Sequence, residues 1–356
     1  MLYYDHNLNL LPTYTSIDWG PTGSFGPIGK NSQLILFLSK VMPPNKKICI
    51  FEHKSQLFDT ATIHAINQSN MDYIVINVSD HPSEHPHSMP SAALIKKPCI
   101  VLTHNFNDMI KGCYHPWHLL FSHTLAKQDI IDFTTQRKNL VSCVHVKSRV
   151  TRIVNIAMLS KKSYFNKIYV NWLDKPRLKF DIFFEDDLTT ADIEEYFDDY
   201  IKIQNLNPIH AIPSGSEFDV YSNIERGFTD TYLNIVTEAR CANFGFLTEK
   251  IYKPIRAGQL FLVQAAPNSI QFLNSMGIDT FTDYINHNHY DSEPNWKIRT
   301  ILMQEVLDDI FPNIEEIFFK TTSRRENNKK RLASVDLMTE CLSSIVLQLD
   351  NTTMHK

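Results

Sequence analysis

Short apolar runs recur along the chain, each followed by a polar or helical stretch. The first three are KICIFEH (Lys47 to His53), DYIVINVS (Asp72 to Ser79) and PCIVLTHN (Pro98 to Asn105). Runs of this kind, alternating with helical patterns, predict a mostly parallel α/β sheet. The alternation restarts with NLVSCVHV (Asn139 to Val146), KIYVNW (Lys167 to Trp172), LKFDIFF (Leu178 to Phe184), TYLNIVTE (Thr231 to Glu238) and QLFLVQA (Gln259 to Ala265), which predicts a second sheet. The polar stretch AKQDIIDFTTQRKN, Ala126 to Asn139, lies between the two sets. Residues 1–130 are therefore expected to form one Rossmann-like domain and residues 131–295 a second. Beyond Asp291 the pattern turns helical, and Ile298, Ile301, Leu302, Val306 and Leu307 fall at spacings suited to one packed face. Residues 296–356 are expected to be helices packing back on the domains.

Composition agrees with this division. A chain of 356 residues with 43% hydrophobic and 21% charged residues suits two soluble domains. The net charge of -4 supplies no general attraction to nucleic acid, so nucleic acid is not the expected partner. The cysteines at 49, 99, 113, 143, 241 and 341 form no CxxC pair, as expected of reduced thiols in the cytoplasm. The opening MLYYDHNLNLLPTYTS lacks the basic start and apolar run of a signal peptide, and no apolar stretch reaches the ~18 residues of a membrane span.

Chemistry concentrates in TYLNIVTEARCANFGFLTEKIYKPIRAG, which reads strand, loop, helix. Thr248 is the expected N-cap, which puts Glu249 and Lys250 in the first turn, and Gly258 is the expected helix-ending residue. A helix N-terminus offers unpaired N–H groups and partial positive charge, and Lys250 adds a full cation, a combination suited to phosphate. Glu249 or the strand-end Glu238 can accept hydrogen bonds from ribose or sugar hydroxyls. The same pattern also serves wherever a helix merely needs a cap.

The strand ending at Glu238, followed by a loop and TEK, resembles the C-terminal signature of the alpha-1,3-fucosyltransferase family. Upstream, LVSCVHVKSRVTRIVNIAMLSKK resembles that family's strand, turn and helix carrying a donor-binding arginine. Arg152 stands nearest that position, with Arg149 as the alternative. The match covers roughly residues 139 to 290. It departs from the family at Thr237-Glu238-Ala239, where a Glu-Asn pair is usual, and has Phe246 as the aromatic residue before TEK. The resemblance implies a GT-B fold, with two Rossmann-like domains facing each other across a cleft, and a transfer of sugar from a nucleotide donor. It implies that Glu249 holds donor hydroxyls and that Lys250 and Arg152 hold the diphosphate. The expected co-substrate is a GDP-, UDP- or CMP-linked sugar, with no further cofactor.

The acceptor half offers His104, at the end of the third strand, in the position where the fucosyltransferases carry a glutamate base. Histidine suits a general base near neutral pH. Glu84, in DHPSEHPH, is the rival, together with His85 and His87. The Gly/Pro-rich loop DWGPTGSFGPIGKNSQ, Asp18 to Gln33, is a candidate backbone cradle but not a P-loop. No Asp-x-Asp occurs, so metal-dependent chemistry is not expected. If the reaction retains configuration, Asp219 and Asp230 are candidate nucleophiles. The basic run with Arg324, Arg325, Lys329, Lys330 and Arg331 is a solvated helix face or a contact with anionic membrane. The expected acceptor is a bacterial surface glycan or a lipid-linked glycan. The alternatives are a Kdo-type transferase using a CMP-sugar, a DNA-modifying glycosyltransferase, and a non-catalytic nucleotide-binding protein.

Overall fold

A computed structural model describes residues 48–53, 73–78, 99–103, 113–114, 117–145, 150–172, 226–238 and 245–341, with isolated positions between these stretches. The chain divides into two compact units, residues 1–120 with 335–356, and residues 121–334. The α/β class expected from the apolar runs holds in both.

In the first unit, β1 (Ile48–His53), β2 (Tyr73–Val78), β3 (Cys99–Thr103) and β4 (Cys113–Tyr114) form a parallel sheet in the order β1–β2–β3–β4. Ile74 and Leu119 are fully buried. The Asn67 side chain bridges to the backbone before β3, donating to Leu94 O at 3.2 Å and accepting from Lys96 N–H at 2.7 Å. Helix α1 (Trp117–Ala126) comes after β4.

In the second unit, β5 (Asn139–His145), β6 (Ile168–Trp172), β7 (Thr231–Thr237) and β8 (Leu260–Gln264) form a parallel sheet in the order β6–β5–β7–β8. Every residue of β7 and β8 is buried, as expected for strands covered on both faces. Helix α2 (Val150–Ser160) comes after β5, the short α3 (Arg226–Thr229) precedes β7, and α4 (Glu249–Arg256) joins β7 to β8. Thr231 and Asn234 of β7 both donate to Ser142 Oγ on β5, at 2.9 and 2.8 Å, so polar residues inside the sheet satisfy one another. After β8 come α5 (Ser269–Ser275), α6 (Trp296–Ile310), α7 (Ile314–Lys320) and α8 (Thr322–Leu332).

The exit of α4 obeys its sequence. Gly258 takes φ +64, its N–H donates to Ile255 O at 3.2 Å, and Gln259 N–H donates to Pro254 O at 2.9 Å. This is the paired pattern of a Schellman ending.

Two expectations for the C-terminal helices change. On α6, Val306 and Leu307 are buried, but Ile298 and Ile301 are 46% and 42% exposed. The inward face instead carries Trp296, Arg299, Thr300, Met303, Gln304 and Ile310. It still repeats at helical spacing, but three of those residues are polar and find partners inside, which turns the helix from the face that apolar residues alone suggest. On α8 the basic run is not a free solvated face. Arg324 grips Asp279 with Nε and Nη2 at 2.6 and 2.8 Å and reaches Asp283 at 2.8 Å. Arg331 Nε donates to Met276 O at 2.9 Å, Lys329 donates to Asp129 O, and Arg325 is 1% exposed. Lys330 points outward.

A buried histidine fastens the loop after α5. His287 Nε2 lies 2.8 Å from Thr280 O and Nδ1 lies 2.7 Å from Tyr290 Oη, while Val263 N–H donates to that hydroxyl at 3.2 Å. The carbonyl requires the proton on Nε2, so Tyr290 donates to Nδ1 and the ring stays neutral. Burial pushes the His287 pKa down from 6.5 to about 4. Between those values the unfolded chain binds more protons, so stability is fully present above pH 6.5 and is lost as pH falls through 4, by about 3 kcal/mol. Burial raises the carboxyls of Glu238 and Asp291, which opposes that loss at the acid end. Urea midpoints at pH 7 and pH 4.5 should separate for the native chain and come closer for His287→Gln; equal separations would place the proton uptake elsewhere.

Candidate functional site

In the second sheet the strand order reverses between β5 and β7. The chain leaves β5 toward β6 on one side and returns to β7 on the other. Connections from adjacent parallel strands then leave in opposite directions, opening a crevice at the carboxyl ends where α/β proteins place ligands. Helix α2 comes after β5 and carries Arg152 in its opening turn. Glu238 comes directly after β7, and the loop beyond it leads to α4, headed by Thr248, Glu249 and Lys250.

Thr248 is the N-cap in an extended conformation, φ -118 and ψ -172, and its Oγ1 accepts from Lys250 N–H at 3.4 Å. Glu238 is fully buried and accepts twice from Thr248, from N–H at 2.8 Å and from Oγ1 at 2.6 Å. Burial raises its pKa, with Lys250 pulling the other way. Glu238 thus faces the cap rather than an open crevice. Lys250 Nζ donates to Thr248 Oγ1 at 3.0 Å and to Glu249 Oε1 at 2.8 Å. The Lys250 side chain is 22% exposed and that of Glu249 5%. Of the motif residues, Lys250 is the one whose side chain is not fully buried.

Arg152 is 2% exposed, not a solvated surface arginine. It lies near Cys143 on β5, whose thiol is pushed up to about 12 by burial while the arginine pulls it down. The first turn of α2 also reaches β8, where Gln264 Nε2 donates to Thr151 O at 3.5 Å and to Thr300 Oγ1 at 2.5 Å. Farther along α2, Asn155 donates to Thr237 Oγ1 at 3.2 Å and accepts from Gln304 at 3.0 Å. The ends of β7 and β8 are thereby joined to α2 and α6 by hydrogen bonds.

Arg299 of α6, which the sequence patterns did not single out, completes the frame. Its Nε donates to Ala265 O at 2.9 Å, and its two terminal nitrogens donate to Glu293 O and Cys241 O. One guanidinium thus binds the exit of β8, the loop before α6 and the loop leading to α4. Its signal was present in sequence, since it shares a helical repeat with Trp296, Met303 and Val306. The N-terminus of α5 carries its own anion, because Asp291 accepts from Ile270 N–H at 3.0 Å and Gln271 N–H at 3.2 Å.

No family model matches the chain, and no curated protein matches it. Solved structures give three-dimensional likenesses. An E. coli structure described as trehalose-6-phosphate bound with UDP-2-fluoro glucose has TM-score 0.46 at 8% identity, covering 90% of this chain and 78% of that one. A UDP-forming alpha,alpha-trehalose-phosphate synthase from Burkholderia xenovorans has TM-score 0.45 at 8% identity, covering 90% and 79%. A DNA-modifying beta-glucosyltransferase, solved in the presence and absence of uridine diphosphoglucose, has TM-score 0.37 at 12% identity, covering 84% and 82%. The fucosyltransferase resemblance rests on its motif residues alone.

His104, Glu84, His85, His87, Arg149, Asp219, the 18–33 loop and the 178–184 run lie outside the described residues. Asp230 is described and sits at the wrong end for a nucleophile beside Lys250. It precedes β7, whereas Glu238 comes after it, and the strand between them is seven residues long, about 23 Å at the usual rise. There it pairs with Lys138 at 3.1 Å. Among the described residues no group of three or more His, Cys, Asp or Glu could hold a metal ion. Among the same residues no helix is long and apolar enough to cross a membrane.

Proposed function

We propose that the protein is a GT-B, nucleotide-sugar-dependent glycosyltransferase that works without a metal ion and passes a sugar to a bacterial surface glycan or lipid-linked acceptor. The observation that carries this reading is the placement of Lys250 at the head of α4, at the carboxyl end of the switch point between β5 and β7. A diphosphate bound there would accept from the Lys250 ammonium at the positive end of α4. Arg152, buried at the head of α2, adds positive charge that the leaving phosphate develops against. Glu249 is the carboxylate for donor hydroxyls, and the donor is a GDP-, UDP- or CMP-linked sugar. His104, with Glu84 as the rival, is assigned as the base that deprotonates the acceptor.

The experiment is a screen of sugar nucleotides for release of free nucleotide by the purified chain, then Lys250→Ala on the active donor. A charge-assisted hydrogen bond contributes ~1.5–3 kcal/mol, so the donor KM should rise about 10- to 100-fold. An unchanged KM would remove Lys250 from the site. Absence of both nucleotide binding and nucleotide release across all three classes would end the transferase reading.

A further inference from the structure

Glu238 is fully buried and has no surface through which to meet a donor, yet both its oxygens are spent on Thr248, which in turn accepts from the part-buried Lys250 ammonium. Thr248 has one hydroxyl proton and commits it to Glu238 Oε2 at 2.6 Å. A hydroxyl whose proton is committed presents only lone pairs to its other neighbours. Those lone pairs face Lys250, whose Nζ lies 3.0 Å from Thr248 Oγ1 and 2.8 Å from Glu249 Oε1.

We propose that Glu238 is a positioning residue that acts through the Thr248 hydroxyl to hold the Lys250 ammonium at the head of α4, ready for a donor diphosphate. The proposal rests on the nucleotide-sugar reading above. It reassigns Glu238 from a group that touches sugar to a group that orients the cation. Charge and shape make a carboxylate suitable, since it accepts from both Thr248 donors at once. Glutamine has the same shape and the wrong polarity. If its NH2 faces the hydroxyl, it donates to Oγ1 and turns the Thr248 proton toward the ammonium. If its NH2 faces the Thr248 N–H, two buried donors oppose each other and the cap shifts. In either case the Thr248 contact to Lys250 is weakened, and Glu249 Oε1 is left as the remaining tether.

The test uses the full chain and two measurements. The first needs no ligand: acetylation of Lys250 by acetic anhydride, read by mass spectrometry. It should run about 3-fold faster or more in Glu238→Gln and Thr248→Val, and at the native rate in Thr248→Ser, which keeps the hydroxyl. The second is calorimetric binding of UDP and GDP. Glu238→Gln should weaken the tighter of the two about 5- to 20-fold, and the double variant with Lys250→Ala should bind no more weakly than Lys250→Ala alone. A merely structural carboxylate would lower affinity equally in both backgrounds, and that result would overturn the proposal, as would native acetylation rates in Glu238→Gln. If acetylation responds while Lys250→Ala leaves nucleotide affinity unchanged, the tether exists but the donor-site reading falls, and the proposed role falls with it.

Discussion

Gly258→Ala is expected to lower the unfolding free energy by about 2–5 kcal/mol, read as a fall in the urea midpoint at constant slope. Two separate causes add. With φ +64, the left-handed backbone at this position costs an L-residue ~1–2 kcal/mol. In addition, a Cβ would lie 2.3 Å from Phe133 Cε1 and 2.5 Å from Cδ1. Crowding a packed ring in this way costs ~1–3 kcal/mol. The two parts separate in a Phe133→Leu background, where only the backbone part should remain. A loss below about 1 kcal/mol in both backgrounds would mean that α4 does not end in this turn. The consequence reaches the candidate site, because α4 is held between the cap at Thr248 and this exit.

Arg325→Met is expected to cost about 3–5 kcal/mol, although it removes a buried positive charge. Two effects compete. Burial and the nearby Arg137 both disfavour the charged guanidinium, so losing it gives a gain. Against that, the guanidinium donates to Gly258 O at 2.6 Å, Phe133 O at 3.1 Å and Phe318 O at 2.8 Å, and stands 3.4 Å above the Phe318 ring centroid. Methionine fills the space and leaves buried carbonyls without that donor, at ~1–3 kcal/mol each where water cannot replace it. Arg325→Lys should recover part of the loss, since one ammonium cannot span all three carbonyls. A methionine variant within about 1 kcal/mol of the native chain would mean that the charge costs as much as its hydrogen bonds return. Arg325 and Gly258 share Phe133 as a neighbour, and Arg325 binds the Gly258 carbonyl, so their double variant should be non-additive.

The sequence by itself determined the α/β class, the four described strands of the second sheet, three of the four in the first, the N-cap at Thr248 and the helix-ending Gly258. Each is a local property. Strands and caps depend on residues within one turn or one extended run, where β-branched content, a hydroxyl before a helix or a glycine after it settles the conformation.

Only the tertiary structure decided what the polar residues do. Glu238 looked like a group facing ligand because it ends a strand, and it is instead closed onto Thr248. The basic run on α8 looked like a solvated face because charge is normally exposed, and it is instead paired with Asp279, Asp283 and backbone carbonyls far away in sequence. Arg299 was hidden in a helix whose apolar positions suggested a different inward face. In each case the side chain's energy depends on whether a partner outside its own strand or helix turn meets it when water is removed, and the identity of that partner, ten residues away for Glu238 and 67 for Arg325, leaves no mark in a local pattern. The same holds for the switch point between β5 and β7. The runs predict strands, but their order in the sheet exists only once the chain has crossed from one side of β5 to the other. That crossing is what brings the heads of α2 and α4, with Arg152 and Lys250, to the carboxyl ends of neighbouring strands.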